Sequence, residues 1–332
     1  MAGNLVALDI GSSQVKLVWY AGTTRKKAVA ADLPDRMVAN GGIVSMDAMA
    51  DFLRDTARRN GIPRTNAAVI LPASQVFTRN VDVPAMTDAQ LAYNLPFEFK
   101  DYLTQEKSRY YFDYAVQSLV KDASGAVRQM RLFACAALKS TIEDYRAMLR
   151  RAGFRLKSAI PEEAAYAALL AGYQKRVSSA PADYCFVDLG FNAIRMQILH
   201  DDVFMMRRTV DLGLFDLVRS LSETRGVDEH MALEHLRSDY EGALDDAASQ
   251  ELYHRMAVEI MKAVNFYNYN NREQTLQRIY LCGGGAAIGQ IRAAITELTN
   301  LDIRPVTELL PDGAALEQPW LYAKAIGCAL QA

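Results

Sequence analysis

The sequence predicts a mixed α/β protein whose two halves open with the same device, and three observations carry that expectation. "LVALDIGSSQVKLVWY" (5–20) and "YCFVDLGFNAIRMQIL" (184–199) each run a hydrophobic strand into Asp-x-Gly and out into a second hydrophobic strand. Between and after them, strand-like runs are mixed with amphipathic helical stretches, which is the pattern of an α/β chain. Near the end, "YLCGGGAAIGQI" (280–291) is a hydrophobic strand, three glycines and a helix start. With 332 residues, 51% hydrophobic and 23% charged, the chain is long enough for two domains with sizeable cores.

The bulk numbers also exclude. Thirty-seven Lys and Arg against 39 Asp and Glu leave a net charge of -2, which argues against nucleic acid as a partner. Four scattered cysteines, with no Cys-x-x-Cys and no neighbouring His pair, suggest neither a zinc site nor a disulfide framework and fit a reducing cytoplasm. His230 and His235 are five apart, off the i,i+4 spacing that sets two ligands on one helical face. No stretch reaches the roughly 18 to 20 apolar residues that span a bilayer, and the start lacks the basic-then-apolar signal pattern. Any membrane connection is therefore expected to run through a partner or a surface contact. The longest uncharged apolar run, "AAYAALLAGY" (164–173), reads as a buried helix.

Taken in order, strand-like runs at 4–10, 15–21, 67–71 and 75–83 surround a helix in "SMDAMADFLRDTARRNG". Ser45 caps it, Met49, Phe52, Leu53 and Ala57 form its apolar stripe, and Gly61 stands where a left-handed residue ends it. A second helix in 87–103 has a Thr87/Gln90 capping box and is expected to break or kink before Pro96. Two strands, "RYYFDYAVQSLV" and "VRQMRLFACAAL", follow around the turn "KDASGA", and the aromatic alternation of 110–114 reads as half-buried sheet. Ser140 and Glu143 then open a capped helix that buries Tyr145, Met148, Leu149 and Ala152 and stops at Gly153. Residues 84–153 thus read as an α-β-β-α insert.

The polar stretch "QKRVSSAPAD" (174–183) is the expected linker to the second half. That half has strands at 184–188, 193–200 and 203–210 and helices at 213–225 and 228–238. A long helix at 247–271 is lined by Leu252, Met256, Ile260, Val264 and Tyr267, and the glycine turn is followed by a helix marked by Ile288, Ile291, Ile295 and Leu298.

The chemistry is in the repeat. Superposing the two hairpins pairs Asp9 with Asp188, Gly11 with Gly190, Val15 with Ile194 and Lys16 with Arg195. A Gly-bearing turn can bring backbone N–H groups close to an anion, and a carboxylate ending each first strand could hold a hydrated divalent cation. The three-glycine turn is neither a P-loop nor a Rossmann fingerprint, and by itself it means little.

In this order, "DIGSSQVK", a second Asp-x-Gly hairpin and strand-Gly-Gly-Gly-helix resemble the phosphate-1, phosphate-2 and adenosine motifs of the actin and heat-shock-chaperone ATPase superfamily. With "LAYNLPFEF", "MRRTVDLGLFDLVRSL", "VNFYNYNN" and "IYLCGGGAAIGQI" added, the chain resembles over essentially its whole length the PilM family. These are cytoplasmic actin-like proteins of type IV pilus assembly, similar in structure to the division protein FtsA. The resemblance implies a two-lobed actin-like ATPase fold, made of duplicated ribonuclease-H-like domains, with an inserted FtsA-type 1C subdomain. Its parts would be 1–83 with 154–180, the insert 84–153, 181–212 with 275–332, and a helical subdomain 213–274. It further implies ATP or ADP with Mg²⁺ in a central cleft. Asp9, Gly11, Ser12, Ser13 and Lys16 would face phosphates from one side, and Asp188, Gly190 and Asn192 from the other. Asp9 and Asp188 would hold Mg²⁺ through water. Gly283, Gly284 and Gly285 would lie at the adenosine, and Glu259 and Lys262 would be ribose or adenine contacts, although as an i,i+3 pair they equally read as a solvated ion pair. The implied partner is the cytoplasmic tail of a PilN-like single-pass inner-membrane protein, taken beside the insert around Leu91, Leu95, Phe97 and Phe99, residues that suit a core equally well. Other pilus assembly proteins and a second copy of the chain are further partners in this reading, and the location is peripheral at the inner membrane through the partner.

Two departures from the superfamily pattern bear on activity. Phe191-Asn192-Ala193 replaces small and hydroxyl residues and is expected to narrow the phosphate site, and Leu214 in "DLGLF" stands where relatives often have Gly. No catalytic residue is assigned; Glu162 and Glu163 are the nearest candidates for positioning a water, so at most weak ATPase activity is expected. Two other readings stay open: a small-molecule kinase of the same superfamily, and an FtsA-like filament former, against which stands the lack of a C-terminal amphipathic anchor in "WLYAKAIGCALQA".

Overall fold

The computed structural model describes residues 3–39, 41–177, 182–271 and 275–332, so part of the expected linker, 178–181, lies outside the described residues. The chain divides into two compact units. One comprises residues up to Ile10, Val15–Ala165 and Gly327–Ala332, and the other Gly11–Gln14 and Tyr166–Ile326.

In the first unit, β1 (Asn4–Ile10), β2 (Gln14–Ala21) and β3 (Thr24–Asp32) form a meander. A small ribbon, β4 (Val38–Ala39) and β5 (Gly42–Ile43), precedes α1 (Met46–Arg59). Ser45 Oγ accepts the Ala48 N–H at 3.3 Å, and Gly61 takes φ +64°, so both ends of α1 follow the sequence rules. The crossover delivers β6 (Asn66–Leu71) parallel to β1, and five of its six residues are buried, as a strand covered on both faces requires.

Next come β7 (Val76–Pro84), α2 (Asp88–Glu98), β8 (Tyr110–Lys121) and β9 (Val127–Leu138), with the three strands in the order β7-β9-β8. The Thr87/Gln90 capping box is present. Pro96 does not end α2, which runs on to Glu98: Pro96 sits in the last turn, where one missing N–H costs little, and the Phe99 and Lys100 N–H groups close 3₁₀-type bonds to Pro96 and Phe97 carbonyls. Then α3 (Lys139–Ala152) follows β9 without a loop. Leu138 is therefore its N-cap and Ser140 falls inside the first turn, so the expected Ser140/Glu143 cap is not made and Glu143 pairs with Arg146 instead. Tyr145, Met148, Leu149 and Ala152 of α3 share a core with Met49, Leu53 and Ala57 of α1. Thus β7, which runs up to the limit 84 read from sequence, shares a sheet with β8 and β9 of the insert, and α3, inside the range 84–153, shares its core with α1. After α3, β10 (Arg155–Pro161) pairs parallel to β6, and α4 (Glu162–Gln174) begins at once.

The second unit repeats the plan. Its strands are β11 (Asp183–Leu189), β12 (Ile194–His200) and β13 (Val203–Val210), again an antiparallel meander. The crossover consists of α5 (Leu214–Arg225), α6 (Glu229–Ser238) and α7 (Ala247–Asn270). It is followed by β14 (Arg278–Cys282) parallel to β11, α8 (Gly289–Leu298), β15 (Asp302–Pro305) parallel to β14, and α9 (Ala323–Gln331). The strand orders β3-β2-β1-β6-β10 and β13-β12-β11-β14-β15 are the same topology, a meander followed by two parallel additions. The stripe expected on α7, Leu252, Met256, Ile260, Val264 and Tyr267, is wholly buried in this unit's core. Asp183, at the start of β11, accepts Tyr267 Oη–H at 3.0 Å and lies 2.8 Å from His200 Nδ1, tying the end of α7 to the sheet.

Candidate functional site

The two Asp-x-Gly motifs are equivalent in three dimensions. Pairing of β1 with β2 runs to Ile10↔Val15 and leaves Gly11–Gln14 as a four-residue turn; pairing of β11 with β12 runs to Leu189↔Ile194 and leaves Gly190–Ala193. In each turn the glycine N–H donates to the carbonyl three residues on, Gly11 to Gln14 at 2.9 Å and Gly190 to Ala193 at 3.1 Å. Two residues before each glycine stands a buried aspartate opposite a base: Asp9, 4% exposed, against Lys16, and Asp188, 6% exposed, against Arg195. Cross-strand partners share a sheet face, so each half places one carboxylate and one cation at the foot of a turn. Ser12 and Ser13 are half-buried in the first turn, and Asn192 is exposed in the second.

The second turn is braced by α5. Leu214 and Phe215 N–H groups donate to the Gly190 and Phe191 carbonyls at 3.1 and 2.8 Å, and the Gly213 N–H donates to Asp216 Oδ2 at 2.9 Å. This approach requires glycine at 213, where a Cβ would lie 2.4 Å from the Phe191 carbonyl oxygen. Phe191 itself packs on the unit's core with its ring 5.5 Å from that of Phe215. Its ring therefore packs against α5.

The glycine turn after β14 packs on the same corner. Gly283 has φ +80°, and a Cβ there would meet Asp188 Oδ1 at 2.2 Å and the Leu189 carbonyl oxygen at 2.8 Å; at Gly285 it would meet Leu189 Cβ at 2.7 Å. At Gly284 the nearest atom is a Leu214 methyl at 3.3 Å. Glycine is thus needed at 283 and 285 for the turn to close on Asp188–Leu189. Gly284–Ala287 form a 3₁₀ turn and α8 starts only at Gly289, so the glycines do not lead straight into the helix.

Sequence reasoning missed the residue that completes this corner. Lys324, in the first turn of α9, places Nζ 2.9 Å from Asp188 Oδ2, with the two side chains 12% and 8% exposed. The sequence shows only that it is the lone charge of the terminal helix, which does not reveal its partner. Beside this corner, burial first and the Asp188 charge second push the Cys282 thiol well above its ordinary range. Mg²⁺ at Asp188 does not fit these contacts, because one carboxylate oxygen holds an ammonium and the other lies against Gly283. Among the described residues no group of three or more His, Cys, Asp or Glu comes together to hold a metal directly.

Glu259 and Lys262 on α7 pair with each other at 2.7 Å, with Lys262 60% exposed. Leu91, Leu95 and Phe99 are core residues under the β7-β9-β8 sheet, at 1%, 3% and 0% exposure, the packing role that the sequence leaves open for them beside a partner contact. Phe97 is 46% exposed, and so are two residues not foreseen, Tyr93 at 72% and Tyr102 at 50%. The Tyr93 and Phe97 rings lie 5.8 Å apart, Lys107 Nζ stands 4.1 Å over Phe97, and the Arg79 guanidinium stands 5.1 Å over Tyr102. Glu162 and Glu163, the candidates for positioning a water, are buried, and Glu163 accepts Thr78 Oγ1–H at 3.0 Å.

Duplicated meander-plus-parallel sheets, each ending its first strand in Asp-x-Gly, define an actin-like fold, and solved structures agree. The PilM–PilN type IV pilus biogenesis complex matches with a TM-score of 0.80 at 19% identity over 100% of this chain and 98% of the other. The ethanolamine utilization protein EutJ of Carboxydothermus hydrogenoformans matches with a TM-score of 0.63 at 13% identity, over 100% and 91% of the two chains. MreB5 of Spiroplasma citri bound to AMPPNP gives 0.54 at 12% identity, over 99% and 96%. Residues 7–309 match the model of the family described as type IV pilus assembly protein PilM. The chain belongs to that family and is an actin-like protein of type IV pilus assembly. No curated protein sequence matches it significantly. Among the described residues no helix is long and apolar enough to cross a membrane.

Proposed function

We propose that the protein is an ATP- or ADP-binding adaptor that takes the cytoplasmic tail of a PilN-like inner-membrane protein and is thereby held at the membrane. The observation that carries the nucleotide half is the pair of turns with one internal hydrogen bond and one buried Asp–base register. Ser12 and Ser13 hydroxyls, the Asn192 amide and the Lys16 and Arg195 cations supply donors of the kind phosphates need. The nucleotide-bound MreB5 structure supports this, since that protein shares the fold. In this reading Asp9, Gly11, Ser12, Ser13 and Lys16 serve one turn and Asp188, Gly190 and Asn192 the other. The Gly283–Gly285 turn, Glu259 and Lys262 serve the nucleoside, and a Mg²⁺ carried with the phosphates meets Asp9. The four-part division of the chain set out above belongs to the same reading.

The adaptor half rests on the exposed Tyr93–Phe97 ladder of α2 and on the family to which the chain belongs. Two rings four residues apart on one helical face, flanked by Lys107 and Arg79, suit a short peptide with apolar anchors and an acidic or carbonyl-rich edge. A synthetic tail peptide of the PilN-like protein is expected to bind the whole protein, and a Tyr93→Ala/Phe97→Ala variant with unchanged circular dichroism is expected to lose at least about tenfold in affinity. Equal affinity for the variant and the parent would remove α2 from the partner site.

A further inference from the structure

We propose that Lys324 is the resident cation of the second phosphate turn, so that a nucleotide's phosphates are held there by an ammonium and not by a divalent cation bridging to Asp188. The inference rests on the nucleotide reading above and adds to it which cation serves that turn.

Three sets of contacts hold the pair in place. Asp188 is on the central strand of its sheet, paired with Arg195 on one side and Cys282 on the other, and its Oδ1 occupies the space a Cβ on Gly283 would need. The carboxylate therefore has little freedom to turn towards a new ligand. Lys324 has no easier escape, because its helix buries Ala323, Ala325, Ile326, Cys328 and Ala329. Farther along that helix Gly327 approaches Ala165 so closely that a Cβ would lie 2.0 Å from the Ala165 carbonyl oxygen, which pins the helix against rotation. With Nζ 2.9 Å from Oδ2 and both side chains nearly buried, displacing the lysine would leave a desolvated charge without its counter-ion.

The charge balance points the same way. A hydrated Mg²⁺ relies on one or two carboxylates plus substrate phosphates, and an aspartate already neutralised by an ammonium offers it little while the ammonium repels it. An anion meets the opposite situation: Asp188, Arg195 and Lys324 sum to one positive charge at the foot of the turn. Lysine is a compact point charge of the kind that binds phosphate.

The test is ADP binding by titration calorimetry at fixed ionic strength, in excess EDTA and in saturating MgCl₂, on the wild type and on Lys324→Met, with Lys324→Gln as a second variant in case the first fails to fold. The wild type is expected to bind in EDTA within about threefold of its affinity in Mg²⁺. The variant is expected to lose at least about tenfold in EDTA and to recover part of that in Mg²⁺, because the freed Asp188 can then take the metal. Wild-type binding that collapses in EDTA while the variants behave like the parent would overturn the role of Lys324 and leave the nucleotide reading intact. A folded wild type that binds ADP in neither condition would overturn the nucleotide reading and this inference with it.

Discussion

Gly283 shows how much a single position can carry at this corner. Its φ of +80° lies in the region that L-residues rarely adopt, and a methyl there would fall 2.2 Å from Asp188 Oδ1. Gly283→Ala therefore combines backbone strain with a clash against the Asp188–Lys324 pair, and is expected to lower the unfolding free energy by about 2–4 kcal/mol in urea titration. A change under about 0.5 kcal/mol would show that the corner yields easily. Residues of this kind were only partly legible in the sequence. The glycine run was visible, but it pointed to a ligand, whereas two of its members answer to Asp188 and Leu189 of their own unit. Lys324 was not legible at all as a partner of Asp188, because the two are far apart in sequence and a lone lysine in an alanine-rich helix has no local pattern to reveal where Nζ goes.

At the scale of elements, α2 separates packing from recognition along one helix. Leu91, Leu95 and Phe99 repeat every four residues and face the β7-β9-β8 sheet, while Tyr93 and Phe97 share the same spacing two residues out of phase and remain exposed. Leu91→Ala is thus expected to destabilise by about 3 kcal/mol through the cavity it leaves, and Tyr93→Ala by less than about 0.5 kcal/mol, as read by thermal or urea unfolding. Comparable losses for the two would mean that Tyr93 is a packing residue. The four-residue spacing made the core stripe readable from sequence; what periodicity could not decide was which of two interleaved stripes faces inward, since both are apolar. The caps show the same division. Ser45 and Thr87 follow loops and cap as their types predict, whereas Ser140 fails because β9 runs into α3 with no intervening residue.

For the whole molecule, the identical strand orders of the two units account for the repeated motif: each Asp-x-Gly ends the central strand of its sheet, where the hairpin turn and the parallel additions meet. The duplication was legible because hydrophobic strands and glycine turns leave a local signature. The edge strands β3, β10 and β15 were not, because "TRKKAVAAD", "RLKSAIP" and "DIRP" lack a clean alternation and owe their pairing to neighbours already in place. The function proposed for the molecule depends on whether these two turns take a nucleotide. Calorimetric titration of ATP into the wild type and into a Ser12→Ala/Ser13→Ala variant, both checked for intact folding, addresses that directly. Micromolar binding by the wild type and a loss of about tenfold or more in the variant are expected. Absence of binding by the wild type, or equal binding by both proteins, would contradict the proposed function.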